Sequence, residues 1–122
     1  MKNISFKGII AYPITPFDKE EKVDIRLYKT LLERLIVSGS HAVAPLGSTG
    51  VMPYLTDEEK EAITEATLQQ VNGRVPVLVG VSNLTTDKTI YHAKFAEKAG
   101  ADAVMIIPMS YWKLTDDEIV QH

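Results

Sequence analysis

An α/β fold with parallel neighbouring strands is what the sequence predicts, and three observations predict it. Short apolar runs alternate with stretches of helical spacing along the 122 residues. The runs show no polar alternation, which suits parallel strands covered on both faces. Glycines and capping residues fall at the joints between the two kinds of segment.

The first strand is read at 8–14, where Gly8-Ile9-Ile10-Ala11-Tyr12-Pro13-Ile14 is closed by the turn Thr15-Pro16-Phe17-Asp18. Asp24 then offers an N-cap ahead of Leu27, Leu31, Leu32, Leu35 and Ile36, whose spacing marks one apolar helix face ending at Gly39. The second strand, 41–46, stops at Gly47-Ser48-Thr49-Gly50. Thr56-Asp57-Glu58-Glu59 carries the side chains of a capping box and opens a helix through Ile63 and Ala66 to Asn72-Gly73. A third strand is expected at 75–80, and a third helix runs from Thr85 or Thr86 through Ala93 and Ala96 to Gly100. The fourth strand is 103–107, after which a second capping box, Thr115-Asp116-Asp117-Glu118, announces a helix holding Ile119 and Val120.

An internal echo sharpens the fold class. Gly39-Ser40-His41-Ala42-Val43 and Gly100-Ala101-Asp102-Ala103-Val104 lie two β/α units apart and place the same glycine and small turn before a strand. No Gly-x-Gly-x-x-Gly follows the first strand, so a (β/α)8 TIM barrel is favoured over a doubly wound sheet. A complete barrel needs about 250 residues. Residues 1–122 therefore read as the N-terminal half of a single barrel domain, covering its first four β/α units. Half a barrel would leave the edges of strands one and four open, with a wide apolar face that invites pairing with another copy.

Composition narrows the function classes. A net charge of -3, with Lys and Arg scattered among acids, argues against a nucleic-acid partner. No apolar run approaches the roughly 20 residues that span a bilayer, and residues 1–7 lack the pattern of a signal peptide, so no membrane partner and a cytoplasmic location are expected. Without cysteine there is no thiolate nucleophile and no Cys-based metal site, and the three His residues are far apart, so no metal is expected. His41 and His92 fall away from the carboxyl ends of strands and read as structural.

In a β/α barrel, functional groups sit at the carboxyl ends of strands. Of the four loops there, Gly47-Ser48-Thr49-Gly50 is the most informative: two hydroxyls and unhindered backbone amides suit a carboxylate or phosphate oxygen. Taken alone, the tetrapeptide could equally be a turn rich in small residues.

Read together, Gly8-Ile9-Ile10 with Thr15-Pro16-Phe17, Gly47-Ser48-Thr49-Gly50 with Leu55-Thr56-Asp57-Glu58-Glu59, residues 74–81, 99–104 and 108–115 resemble the dihydrodipicolinate synthase and N-acetylneuraminate lyase family. The resemblance implies a cofactor-free lyase in which pyruvate or a related 2-keto acid forms a Schiff base with a lysine on strand six. It implies that Ser48 and Thr49 bind the keto-acid carboxylate, within a substrate-binding loop Gly47, Ser48, Thr49 and Gly50. It further implies that Ser48 relays protons between two tyrosines, that Tyr111 is one of them, reaching a neighbouring subunit's site, and that the protein is a homo-oligomer, dimer or tetramer. Strand six and the second tyrosine, on strand five, fall outside these residues, so the chain alone is expected to be inactive. The lysines present read as solvated surface groups.

Two departures stand out. Val51 replaces the family's usual Glu, and Pro108-Met109-Ser110-Tyr111 keeps only the first Pro and second Tyr of a Pro-Pro-Tyr-Tyr-like stretch. These leave keto-acid lyases or dehydratases other than dihydrodipicolinate synthesis open. For Tyr111 the alternative is packing with Trp112 at a subunit contact. The rival reading of the whole chain is a non-catalytic module that binds a small anion or self-associates. A phosphate-binding barrel ranks last, because only the glycine-rich loop suggests it.

Overall fold

Local capping chemistry sets the helices. In the computed structural model, which describes residues 4–122, Asp24 caps α1 (Ile25–Val37) by accepting from the Leu27 N–H at 2.8 Å. The signal-peptide reading of residues 1–7 falls partly outside the described residues. At the head of α2 (Asp57–Val71), Thr56 Oγ1 accepts from the Glu59 N–H at 3.2 Å, and the Glu59 carboxylate accepts from the Thr56 N–H at 2.8 Å. Thr115 and Glu118 repeat this box before α4 (Asp116–Gln121). Thr85 precedes α3 (Thr86–Ala99), but its hydroxyl caps nothing there. The echo between Gly39 and Gly100 is conformational: both adopt positive φ, +94° and +102°, between a helix and the strand that follows it.

Those strands are β1 (Ile10–Ala11), β2 (Ala42–Val43), β3 (Leu78–Gly80) and β4 (Ala103–Met105). β1 pairs with β2 in parallel, Ile10 opposite Ala42, and β3 pairs with β4 in parallel, Leu78 opposite Ala103. One parallel bridge between Val43 and Val77 joins the two pairs, so the order is β1-β2-β3-β4. The ladders are shorter than the apolar runs. Pro13, Pro45, Pro76 and Pro108 stand within or beside those runs and have no N–H to give a ladder.

The core lies where the helices meet the central strands: Tyr28 and Leu32 from α1, Val43, Ile63 from α2, Val77 and Val79 are buried together. Complete covering holds for β2, whereas Ile9, Tyr12 and Ile14 near β1, and Val104, Ile106 and Ile107 at β4, stay exposed. This is the open apolar face expected of a partial barrel. On α1 the apolar face is rotated from its expected position. Leu27 is exposed, and Tyr28 is buried in its stead. Thr67 Oγ1 donates to the Ile63 carbonyl at 2.7 Å, which leaves its oxygen to accept from the Tyr28 hydroxyl at 2.6 Å. Burial pushes the Tyr28 phenol well above its ordinary value.

Both histidines read as structural take structural roles. His41 Nδ1 accepts from the Ile9 N–H at 2.9 Å, at the junction of β1 and β2. His92, buried on α3, donates through Nε2 to Asp57 at 2.9 Å, and Lys88 pairs with the same carboxylate. Among the described residues no helix is long and apolar enough to cross a membrane.

The Lys88 and His92 hydrogen bonds hold the Asp57 carboxyl down to about 2 from its ordinary 3.8. The folded chain thus binds this proton less readily than the unfolded chain. The stability that follows is fully present above about pH 4 and is lost as the pH falls towards 2. Asp57→Asn should flatten the loss of stability across that window, measured by urea denaturation at each pH. An unchanged slope would refute this role for Asp57.

Candidate functional site

The carboxyl ends of all four strands bring their loops to one end of the sheet, and the turn 47–50 is closed by its own backbone hydrogen bonds. The Gly50 N–H donates to the Gly47 carbonyl at 3.1 Å and the Val51 N–H to the Ser48 carbonyl at 3.1 Å. Leu46 and Val51 flank the turn in the left-handed region, at φ 60° and 49°. For a β-branched residue such as Val51 that conformation is strained, so the surrounding structure must impose it.

Contacts from Thr15, Tyr12, Pro13 and Gly80 do so. Thr15, buried at the end of the first run, donates its hydroxyl to the Gly50 carbonyl at 2.7 Å. A Cβ on Gly47 would come within 3.1 Å of the Tyr12 ring, and one on Gly50 within 3.3 Å of both Leu46 N and the Pro13 carbonyl oxygen. At Gly80 a Cβ would overlap the Leu46 carbonyl oxygen and lie 2.6 Å from its carbon. The Gly80 N–H also donates to the Pro45 carbonyl at 3.0 Å. The small residues therefore serve close packing as well as turn geometry.

A small cavity of about 140 Å³ opens beside this turn, lined by Gly47 and Ser48, by Ser82, and by apolar atoms of Leu46, Met105 and Ile107 among others. Ser48 and Thr49 are exposed, and among the described residues neither hydroxyl bonds to a protein group. Two uncommitted hydroxyls on a rigid turn suit an incoming oxyanion. Thr49 belongs to the turn but does not line the cavity.

Ser82 escaped sequence reasoning. It is buried just past β3 and accepts from the Ile107 N–H at 2.7 Å, while the Val81 N–H donates to the Met105 carbonyl at 3.0 Å. These bonds extend the β3–β4 pairing into the cavity wall. The only signal in the sequence was a serine at the carboxyl end of a strand, which many turns share.

Tyr111 is not brought to this turn. It is 88% exposed, with its ring edge-to-face on Trp112 at 4.8 Å between centroids, and it lines no part of the cavity. The Ser110 hydroxyl accepts from the Trp112 N–H at 3.1 Å and shapes that segment. The lysines depart from expectation at one place: Lys60 on α2 is only 7% exposed, contrary to its reading as a solvated surface group. It does not line the cavity beside Ser48.

Parallel strands in sequential order, separated by helices and with the polar turn at their carboxyl ends, define a segment of an α/β barrel. Comparison with known proteins places it more closely. Residues 5–122 match the model of the dihydrodipicolinate synthetase family, and the chain belongs to that family. It is 39% identical over 119 residues to the 4-hydroxy-tetrahydrodipicolinate synthase of Bacillus subtilis, covering 98% of this chain and 41% of that enzyme. A provisionally named dihydrodipicolinate synthetase from Pseudomonas aeruginosa superposes with a TM-score of 0.93 at 50% identity, over 96% of this chain and 40% of that one. A prophage protein of the same family from E. coli K12, solved in complex with pyruvate, gives 0.90 at 33% identity, over 95% and 39%. The chain thus spans about two fifths of the length of these relatives.

Because the turn is seated against Gly80, Gly80→Ala should displace the Leu46 carbonyl and cost roughly 1–3 kcal/mol of stability, as overpacking does. Urea denaturation reads the loss, and amide chemical shifts of 47–50 read the displacement. A variant as stable as the parent, with those shifts unmoved, would contradict this packing.

Proposed function

We propose that these residues supply the carboxylate-binding turn of a cytoplasmic, Schiff-base-forming lyase acting on pyruvate or a related 2-keto acid. The observation that carries the proposal is the turn 47–50, rigidly held at the carboxyl end of the strands with two uncommitted hydroxyls. The pyruvate complex of the E. coli relative supports the choice of ligand. In this reading Ser48 and Thr49 donate to the keto-acid carboxylate, and charge-assisted bonds of this kind are stronger than neutral ones. Gly47, which lines the cavity, gives the substrate close access to the backbone, and Gly50 keeps the substrate-binding turn seated against Pro13. In this reading Ser48 also relays protons between two tyrosines, one of which is Tyr111 of the partner subunit. The exposure of Tyr111 fits a side chain that completes a neighbouring subunit's site in a dimer or tetramer.

The amine that attacks the keto carbon, losing water to form the imine, is a lysine beyond these residues. Among the described residues no lysine lines the cavity beside Ser48. The 122 residues alone are therefore inactive in this proposal. A second reading, a non-catalytic self-association module, draws on the exposed apolar side chains of β1 and β4.

Borohydride reduction in the presence of pyruvate separates the two. Mass spectrometry should find a reduced adduct on one lysine of the complete protein and none on the 122-residue chain. A specific adduct on the short chain would overturn the placement of the nucleophile, and no adduct on the complete protein would favour the module. In the complete protein, Thr49→Val keeps the shape of the side chain and removes its hydroxyl. It should weaken keto-acid binding by about 1–3 kcal/mol, and unchanged affinity would count against Thr49.

A further inference from the structure

The cavity beside Ser48 is lined by the turn and its flanks and by residues of β3, β4 and the segments that follow them, and by none from β1. The chain leaving β1 holds the other side of the turn. Tyr12 lays its ring there, with Cδ1 and Cε1 at 3.1 and 3.6 Å from the point a Cβ on Gly47 would occupy. Pro13 follows, its carbonyl oxygen 3.3 Å from the corresponding point at Gly50, and the Thr15 hydroxyl donates to the Gly50 carbonyl. The ring of Pro13 also fixes a backbone angle within this stretch. Tyr12 therefore has a set place relative to Ser48 and Thr49.

That place is on the inner face of the barrel. The Ala44 N–H donates to the Ala11 carbonyl at 2.8 Å, which carries the β1–β2 pairing up to Tyr12. Side chains alternate along a strand, and Ala11 packs against the core beneath the helices, so Tyr12 projects from the opposite face. Met105 of β4 reaches the same spot, its Cε 3.5 Å from the Gly47 point.

Packing accounts for the ring of Tyr12 and not for its hydroxyl. The residue is 44% exposed, and among the described residues no protein group bonds its oxygen, whereas the buried Tyr28 hydroxyl is bonded to Thr67. A phenylalanine would fill the contact with Gly47 equally well. The hydroxyl follows Cε1 by way of Cζ, on a ring already in contact with the residue before Ser48. A phenol can donate to a carboxylate, and a carboxylate has about four positions at which to accept, so a third hydroxyl has a place there beside those of Ser48 and Thr49.

We infer that Tyr12 is a further substrate-binding residue: its ring walls the barrel mouth on the β1 side, and its hydroxyl donates to the carboxylate seated on the turn 47–50. The inference rests on the keto-acid reading of that turn. It adds a donor from a different strand, so the carboxylate is held from two directions and its orientation is fixed.

Tyr12→Phe in the complete protein removes the hydroxyl and keeps the ring on Gly47. The pyruvate concentration that gives half-maximal borohydride-trapped adduct should rise at least about tenfold, the scale of a hydrogen bond to a charged group. The thermal midpoint without ligand should stay at the parent's, because the hydroxyl bonds no protein group. With fluorotyrosine incorporated, the fluorine resonance missing from Tyr12→Phe should shift when pyruvate is added to the parent. Unchanged half-saturation in Tyr12→Phe, or a resonance that pyruvate does not move, overturns the inference and leaves the keto-acid reading standing. A midpoint that falls together with the affinity would mark the hydroxyl as structural and overturn it as well. A parent that traps no pyruvate would overturn both.

Discussion

The rest of the structure depends on the close approach of Gly80 to the backbone at Leu46. β2 and β3 share a single bridge at Val43 and Val77, so the two strand pairs would be weakly joined if nothing else held them. The Gly80 N–H bonded to the Pro45 carbonyl, with no side chain to separate the two backbones, continues that junction past the end of β2. A hydrogen bond at this point also has a steric consequence. It fixes the backbone at Pro45 where the chain leaves β2, and the next residue, Leu46, takes a left-handed φ of 60°.

The same constraint gives the site its chemistry. A turn held by Thr15 on one side and seated against Gly80 on the other has little freedom left, so its hydroxyls are positioned before any ligand arrives. Pre-organisation of this kind lowers the entropic cost of binding. The position where the family's usual Glu is replaced by Val51 lies in the strained part of this turn. In the proposed reading, a Val there leaves no negative charge beside the loop proposed to bind a carboxylate, which fits anionic substrates other than those of the synthase.

What the sequence makes legible is local chemistry. The Thr56–Glu59 and Thr115–Glu118 boxes, the Asp24 cap and the paired glycines at 39 and 100 are each determined by residues a few positions apart, and each is found as read. The order of the strands follows from the alternation of elements. The misreadings are nonlocal. Tyr28 displaces Leu27 from the core because Thr67, 39 residues away, offers its hydroxyl a partner. Lys60 is buried on α2 with its ammonium donating to Asn83 in the segment before α3, a contact that no spacing within α2 reveals. Ser82 and Gly80 matter through contacts with Ile107 and Leu46 that are set only when the strands assemble. Within the site, the turn 47–50 was visible as a motif, while the reason for its rigidity was not.

The central claim, that this rigid turn receives the carboxylate of a keto acid, is tested most directly by the crystal structure of the complete protein after borohydride reduction with pyruvate. The account predicts the pyruvyl carboxylate within hydrogen-bonding distance of the Ser48 and Thr49 hydroxyls, with the turn in the conformation described here. A carboxylate held by other groups, with both hydroxyls turned to solvent, would contradict it.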